Sequence, residues 1–453
     1  MYIGFDYGTS NCAAAVMDKG QVRRLPLDGD DPYLTSTLYA PHRDAIPLLL
    51  ANVLEAPQRQ RYLQQNATAL AKAQRARQEV EEEGLPFRCL LGKAATEQYL
   101  LEPEEGYYLK SPKSFLGATG LSPQQLTLFR DLVAIMMQRI RQAAETALQQ
   151  EVRQAMIGQP VNFQGLGGEE SNRQARELLR QAAELAGFHE VQFQYEPIAA
   201  GLEYESTLQR EQTVLVIDIG GGTTDCSLLR MGPQRRGAAN RDADLLGHTG
   251  MRLGGNDLDI RLAVQALMPS CGLDGLNVRG LPMPHSLFWD AMAINDLQAQ
   301  GRFYADATVR QLQVLMREAR QPEQLARLAW IRQHRQTHHL VWEAEQLKMA
   351  LSEQTTALRT LHLNHDALPI TVTAAQMASM LAPLLEKIGS LADAAMTEAG
   401  VQPDVIFLTG GSARSPLIRE VLAARYPQIP LVTGDHAGSV IAGLARWAAH
   451  CFG

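Results

Sequence analysis

Residues Val214–Leu229 read VLVIDIGGGTTDCSLL, and this stretch decides the fold. Val214 to Ile217 is an apolar run of the kind that forms a buried strand. Asp218 stands where that strand ends. Gly220, Gly221 and Gly222 then make a turn without Cβ atoms, so backbone N–H groups can approach a phosphate and point at it. Thr223 and Thr224 add hydroxyl donors, and Cys226 to Leu229 resumes the strand pattern. An acid at the lip of such a turn suits a hydrated Mg²⁺ bridging to phosphate oxygens. Taken alone, an ordinary glycine-rich hairpin has the same sequence.

The beginning of the chain repeats the plan. Ile3–Val16 reads IGFDYGTSNCAAAV: an apolar strand, an acid (Asp6), a glycine turn (Gly8), a hydroxyl pair (Thr9, Ser10), then a second apolar strand. Two such hairpins, far apart in the chain, predict an internal duplication with one nucleotide between two similar lobes. Neither hairpin is a P-loop, because no G-x-x-x-x-G-K-[ST] follows a strand. Neither is a dinucleotide fingerprint, because each turn leads into a strand and not a helix.

Bulk properties bound the rest. The 453 residues leave room for two or more domains. Hydrophobic and charged contents of 45% and 20% are those of a soluble globular chain. A net charge of -7 argues against broad nucleic-acid binding. Five cysteines without a CxxC spacing predict a reducing compartment, neither a disulfide framework nor a zinc knuckle. No apolar run reaches membrane-spanning length; Ile46–Leu54 is too short. The expectation is a cytoplasmic protein with no membrane or nucleic-acid partner.

Several further stretches carry candidate chemistry. Tyr107–Gly117 reads YYLKSPKSFLG; Lys110 and Lys113 read by themselves as exposed loop lysines, with charge stabilisation in a phosphate cleft as the alternative. In VQFQYEPIAA, a strand leads to Glu196-Pro197, which opens a helix. Glu196 either complements the helix dipole or carries chemistry at a strand end. Gly254 and Gly255 in LGGNDLD form a turn, with Asp257 as a cap for the next helix. Val405–Ser412 is a third strand entering a glycine turn. Ser122 and Pro123 open a long amphipathic helix, and Thr373–Ala399 is another. Residues 58–83 read as a solvated helical insertion. His334 and His338 have helical spacing, but no third ligand accompanies them.

Taken in order, Asp6/Gly8/Thr9/Ser10, KSFLG with Lys113, Glu196-Pro197, DIGGGTTD, LGGNDLD, AEQLKMALS and TGGSAR resemble the nucleotide-binding domain of DnaK-type heat-shock chaperones, and are most similar to short, chaperone-like members. That family belongs to the actin-like ATPase superfamily. The resemblance implies an α/β fold with two ribonuclease-H-like lobes around an ATP/ADP and Mg²⁺ cleft. The first lobe would span 1–210, with the insertion at about 43–88, completed by a C-terminal helix in 433–453. The second would span 211–432, with an extended subdomain at about 257–340. The resemblance also implies that Asp6 and Asp218 hold hydrated Mg²⁺, and that Gly8, Thr9, Ser10, Asn11 and Gly220–Thr223 cradle phosphates. It places Lys113 at the terminal phosphate and the attacking water. Glu196, with Thr223 and Asp225, would position that water. Glu345, Lys348 and Ser352 resemble the helix that contacts adenosine, with Gly410, Gly411, Ser412 and Arg414 covering the base from the other side. Gly254 and Gly255 would line the nucleotide.

Departures from the family pattern shape the expected function. Met349 stands where the family usually has Arg beside the adenosine-contacting Lys, so a cation on the base is replaced by a soft apolar contact. The family's acid near the C-terminal turn has no clean match; Asp435 lies nearby but shifted. The chain ends at Gly453, so no peptide-binding domain is expected. The expected activity is slow ATP hydrolysis with lobe closure as a switch, and client proteins or co-chaperones as partners. The alternative is a nucleotide-dependent, actin-like assembly or scaffold protein. A small-molecule kinase would need a catalytic base and substrate pocket in the first lobe, for which there is no candidate. Oligomeric state is left open.

Overall fold

Each of the two glycine turns joins an antiparallel pair of strands, and each pair is the centre of its own sheet. The computed structural model describes residues 1–163, 168–236, 241–434 and 438–453. Asp435, a sequence candidate, lies outside the described residues.

In the first half, β1 (Tyr2–Tyr7) and β2 (Asn11–Asp18) form the hairpin, flanked by β3 (Gln21–Arg24) and β4 (Tyr33–Thr35). The chain then leaves this sheet. β5 (Thr37–Ala40), β6 (Leu90–Leu91) and β7 (Tyr107–Lys110) make a small separate sheet. Between them lie α1 (Ile46–Val53), α2 (Ala56–Gln65), α3 (Ala67–Glu82) and α4 (Lys93–Leu101). A long helix follows, α5 (Pro123–Leu148). Its start is sealed by a reciprocal cap: Gln125 N donates to Ser122 Oγ, and Ser122 N donates to Gln125 Oε1. Next come β8 (Gln154–Gln159), α6 (Gly168–Leu185), β9 (Glu190–Tyr195) and α7 (Glu196–Glu205).

The second half opens with β10 (Gln212–Ile219), β11 (Thr224–Met231) and β12 (Leu245–Met251). A helical region follows: α8 (Gly255–Leu262), α9 (His285–Met292), α10 (Leu297–Tyr304), α11 (Asp306–Glu318), α12 (Pro322–Gln333) and α13 (Thr337–Leu351). The hairpin β13 (Thr356–Leu363) and β14 (Asp366–Thr373) leads into α14 (Ala374–Ala399). The chain closes with β15 (Val405–Thr409), α15 (Pro416–Arg425), β16 (Leu431–Thr433) and α16 (Ser439–Phe452).

The two main sheets share one plan. The first runs β3-β2-β1-β8-β9 and the second β12-β11-β10-β15-β16. In both, three antiparallel strands are followed by two parallel ones. This is the duplication that the two hairpins predicted. Between the sheets lie α7 and α16. Ala199 and Ala200 of α7 pack with Ile441, Leu444 and Ala445 of α16, with Ala13 and Met156 on the first sheet and Val214, Val216 and Phe407 on the second. The helices cross at very short range. A Cβ at Gly443 would lie 1.7 Å from Ala199 O, so only glycine fits.

Some expectations are corrected. Thr433 pairs with Leu408 in the second sheet, so the terminal helix begins later, at Ser439. The insertion is not simply solvated: Tyr62 is buried, and its hydroxyl donates to buried Asp131 of α5 at 2.5 Å. A single aromatic in a Gln/Arg-rich run gives no compositional sign of such an anchor. Helical periodicity puts Leu384 and Leu391 on the apolar face of α14, but the buried line includes Leu385 and Ala392, and Leu384 and Leu391 are only half-buried. No helix among the described residues is long and apolar enough to cross a membrane.

Candidate functional site

The two turns bring their acids to one place. Asp218 lies near the end of β10, directly opposite Asp225 on β11. Asp6 lies near the end of β1. Glu196 is the first residue of α7. Lys113 sits in a short helical turn, Pro112–Phe115, between β7 and α5. Its Nζ donates to Glu196 Oε1 at 2.5 Å, and both side chains are largely buried. The expectation of an exposed loop lysine is therefore corrected. The left-handed backbone of Ser111 (φ 60°) turns the segment inward.

Four carboxylates around one lysine leave an excess of buried negative charge. Burial and repulsion from Glu196 raise Asp6 to about 7, and raise Asp225 to about 7 as well. Asp218 is raised well above the usual range by burial, then by Glu196, Asp225 and Asp6. Burial would lower Lys113, but Glu196 and Asp6 outweigh it and hold the ammonium charged. A hard, hydrated divalent cation is the group such a donor set fits. Among the described residues no three His, Cys, Asp or Glu side chains converge to ligate a metal directly.

The turns face each other closely. A Cβ on Gly221 would meet Ser10 Oγ at 1.9 Å, and one on Gly222 would meet Thr9 Cγ2 at 2.8 Å. Hydrogen bonds tie the halves together beside them: Val161 N donates to Asp225 Oδ1 (3.0 Å), and Asn256 Nδ2 to Ser111 Oγ (3.0 Å). The space left is lined by Thr9, Lys113, Ser114, Phe163, Thr223 and Arg252, and only about 10 Å³ of it is open to the centre of a water molecule. That holds about one water and no phosphate. Arg252 was not a sequence candidate. Its only signal is its place directly before LGGNDLD.

Gly254 and Gly255 back the second turn. Gly255 N donates to Gly220 O (2.9 Å) and Asn256 N to Gly221 O (2.8 Å). Asp257 does cap α8, but from inside its first turn, by accepting from Gly254 N at 2.8 Å. Gly410, at φ 88°, crosses Asp218 and Ile219 so closely that a Cβ would clash with both. Ser412 Oγ donates to Gly220 O at 3.2 Å. Gly411 and Arg414 are exposed at the rim.

Above the turns, α13 meets the small sheet. Glu345 Oε2 accepts from Lys110 Nζ at 2.8 Å, and Lys348 Nζ lies 2.6 Å from Asp259 Oδ1. Ser352 Oγ returns to Lys348 O. Glu345, Lys348 and Ser352 thus share one helix end, with the first two already engaged in ion pairs. Met349 beside them is 57% exposed. Further out, Tyr99 stacks on Tyr108, and His338 stands edge-on to both. Tyr99 Oη donates to Arg335 O at 2.8 Å and accepts from His339 N at 3.2 Å. These contacts roof the cleft. Of the sequence pair His334 and His338, His334 stacks on Trp330 while His338 packs against Tyr99 and Tyr108.

Residues 119–268 and 312–449 match the family model described as Hsp70 protein, which together is more than half of the chain. The chain is also similar to the chaperone protein DnaK of Halobacterium salinarum, in strains R1 and NRC-1. Each is 27% identical over 345 residues, covering 73% of this chain and 44% of the relative. The chain therefore spans less than half the length of these curated relatives. Asp6 and Lys113 fall before the family-model match, and residues 269–311 fall between its two parts.

Proposed function

Since the chain belongs to the Hsp70 protein family and has its actin-like ATPase fold, we propose that it is an ATP-dependent, chaperone-related protein that hydrolyses ATP slowly and uses closure of two lobes as a switch. The observation that carries this reading is the buried Lys113–Glu196 pair between two facing glycine turns, with Asp6, Asp218 and Asp225 around it.

The turns Gly8–Asn11 and Gly220–Thr223 cradle the phosphates through backbone N–H groups. Lys113 faces the terminal phosphoryl group, and Glu196, Thr223 and Asp225 position the attacking water. Asp6 and Asp218 hold a hydrated Mg²⁺, which when bound supplies charge neutralisation on the phosphate oxygens. Glu345, Lys348 and Ser352 take the adenosine side, opposite Gly410, Gly411, Ser412 and Arg414, with Gly254 and Gly255 behind the phosphate turn. The Lys113–Glu196 pair supports slow turnover, because the lysine's charge would have to be shared between Glu196 and the phosphate. The tight turn-to-turn contact supports closure as one end of the switch, because a nucleotide can enter only when the halves part.

We assign the first lobe to 1–210 with α16, the second to 211–433, and the helical subdomain to about 257–340. Client proteins or co-chaperones are the proposed partners. Five free cysteines, three of them buried, support a reducing, cytoplasmic setting. The test is thermal melting of the full chain with and without Mg-ATP. Nucleotide at one hundred times Kd stabilises by about 2.7 kcal/mol, so the melting temperature should rise by several degrees. An unchanged melting temperature together with no calorimetric binding sinks the reading.

A further inference from the structure

Arg252 lines the same small space as Lys113, from the opposite side of the cleft. Its backbone position is fixed by the second glycine turn. β11 and β12 pair Thr224 with Met251, so Arg252 follows on opposite Thr223. Thr224 Oγ1 donates to Leu253 O at 2.7 Å, and the start of α8 is bonded to Gly220 and Gly221. The segment around Arg252 therefore moves with that turn.

The side chain is held but not used up. Arg252 Nη2 donates to Asn295 O, and Asn295 Nδ2 donates in turn to Asp257 Oδ1 at 3.0 Å. Among the described residues the guanidinium makes no salt bridge; Asp257 is an acid within its electrostatic reach. A half-buried arginine with donors beyond the one on Asn295 O, lining one space with Thr9, Ser114 and Thr223, is matched to an oxyanion with several oxygens.

We propose that Arg252 is a second cationic phosphate-binding residue of this site, contacting the terminal phosphoryl group of a nucleoside triphosphate from the second sheet while Lys113 contacts it from the first. The inference rests on the ATPase reading above. It adds a consequence: a terminal phosphate draws Lys113 and Arg252 together across the cleft, and a diphosphate does not. Arg252 thereby makes closure sensitive to which nucleotide is bound.

The test compares ATP and ADP affinity by calorimetry, and single-turnover hydrolysis, in the full chain. Arg252→Gln keeps a donor for Asn295 O without the charge. It should lower the ATP-to-ADP affinity ratio about tenfold and slow hydrolysis by about ten- to a hundredfold, with ADP affinity within about twofold of the parent. Arg252→Lys should recover part of the loss, since it restores charge without the planar fork. The proposal is overturned if Arg252→Gln and Arg252→Ala both keep the parental ratio and rate. It is also overturned if ADP affinity falls as far as ATP affinity, which marks a purely structural role. A parent chain that binds neither nucleotide removes the ATPase reading first, and this inference with it.

Discussion

Lys113 Nζ lies 2.5 Å from Glu196 Oε1, and this buried pair joins the turn before α5 to the first residue of α7. Removing one partner of a buried pair leaves an uncompensated charge and costs about 3–5 kcal/mol. Lys113→Met should therefore destabilise the chain clearly in thermal or urea melts. The double variant Lys113→Met/Glu196→Gln should recover much of that loss. Strict additivity of the two single effects would show that the pair is not coupled. In kinetics, Lys113→Ala should reduce ATP turnover far more than ATP binding.

The roof over the cleft should weaken in acid. His338 Nδ1 is shut off from solvent and has no hydrogen-bond partner among the described residues. Tyr99 of α4 and Tyr108 of β7 face the ring, and Lys110, paired to Glu345, lies nearby. Burial, then Lys110, lowers His338 from 6.5 to about 3. Between those values the unfolded chain binds a proton that the folded chain does not, so stability falls as pH drops through that window. Asp6 and Asp225, raised to about 7, act in the opposite sense in both chains, so the readout is a difference: between pH 7 and pH 5 the melting temperature of the parent should drop relative to that of His338→Phe. Equal slopes would show that the ring does not contribute.

What could be read from the sequence was whatever the chain encodes locally. Asp218 and Gly220–Gly222 announce themselves because strand, acid and turn are consecutive, and repetition at Asp6 and Gly8 exposes the duplication. Lys113 and Glu196 are each ambiguous on the page; their meaning comes from a contact across 83 residues. The family resemblance, not any spacing rule, brought them together. The ion pairs Lys110–Glu345 and Lys348–Asp259, and the seat of Tyr99 against His338, depend on how the small sheet meets α13. No local pattern encodes that meeting. Arg252 was hidden because an arginine before a glycine pair looks like ordinary loop sequence until β11 and β12 are in register.

Met349 offers a gain-of-function test. It is 57% exposed on α13, one turn from Glu345. A guanidinium stacked on an aromatic ring at an exposed site contributes about 0.5–1 kcal/mol. Met349→Arg should tighten ADP binding about two- to fivefold in calorimetry and leave the melting temperature of the free chain nearly unchanged. Unaltered affinity would remove the adenosine assignment of this helix face.

Gly443 permits no side chain. Its Cβ would fall 1.7 Å from Ala199 O. Overpacking of this kind costs about 1–3 kcal/mol, so Gly443→Ala should lower the melting temperature by several degrees. Ala199→Gly, which removes a methyl but leaves the carbonyl in place, should not rescue it. Full rescue would mean that the clash is with the side chain and not the backbone.

The same crossing sets the leverage of the molecule. Where two helices touch backbone to backbone there is no slack for sliding, and the contact becomes a fulcrum. Any relative rotation of the two sheets is then smallest at Gly443 and Ala199 and grows with distance from them. In the switch proposed above, the aromatic contacts of Tyr99 and His338, made away from this crossing, would part further than the crossing itself.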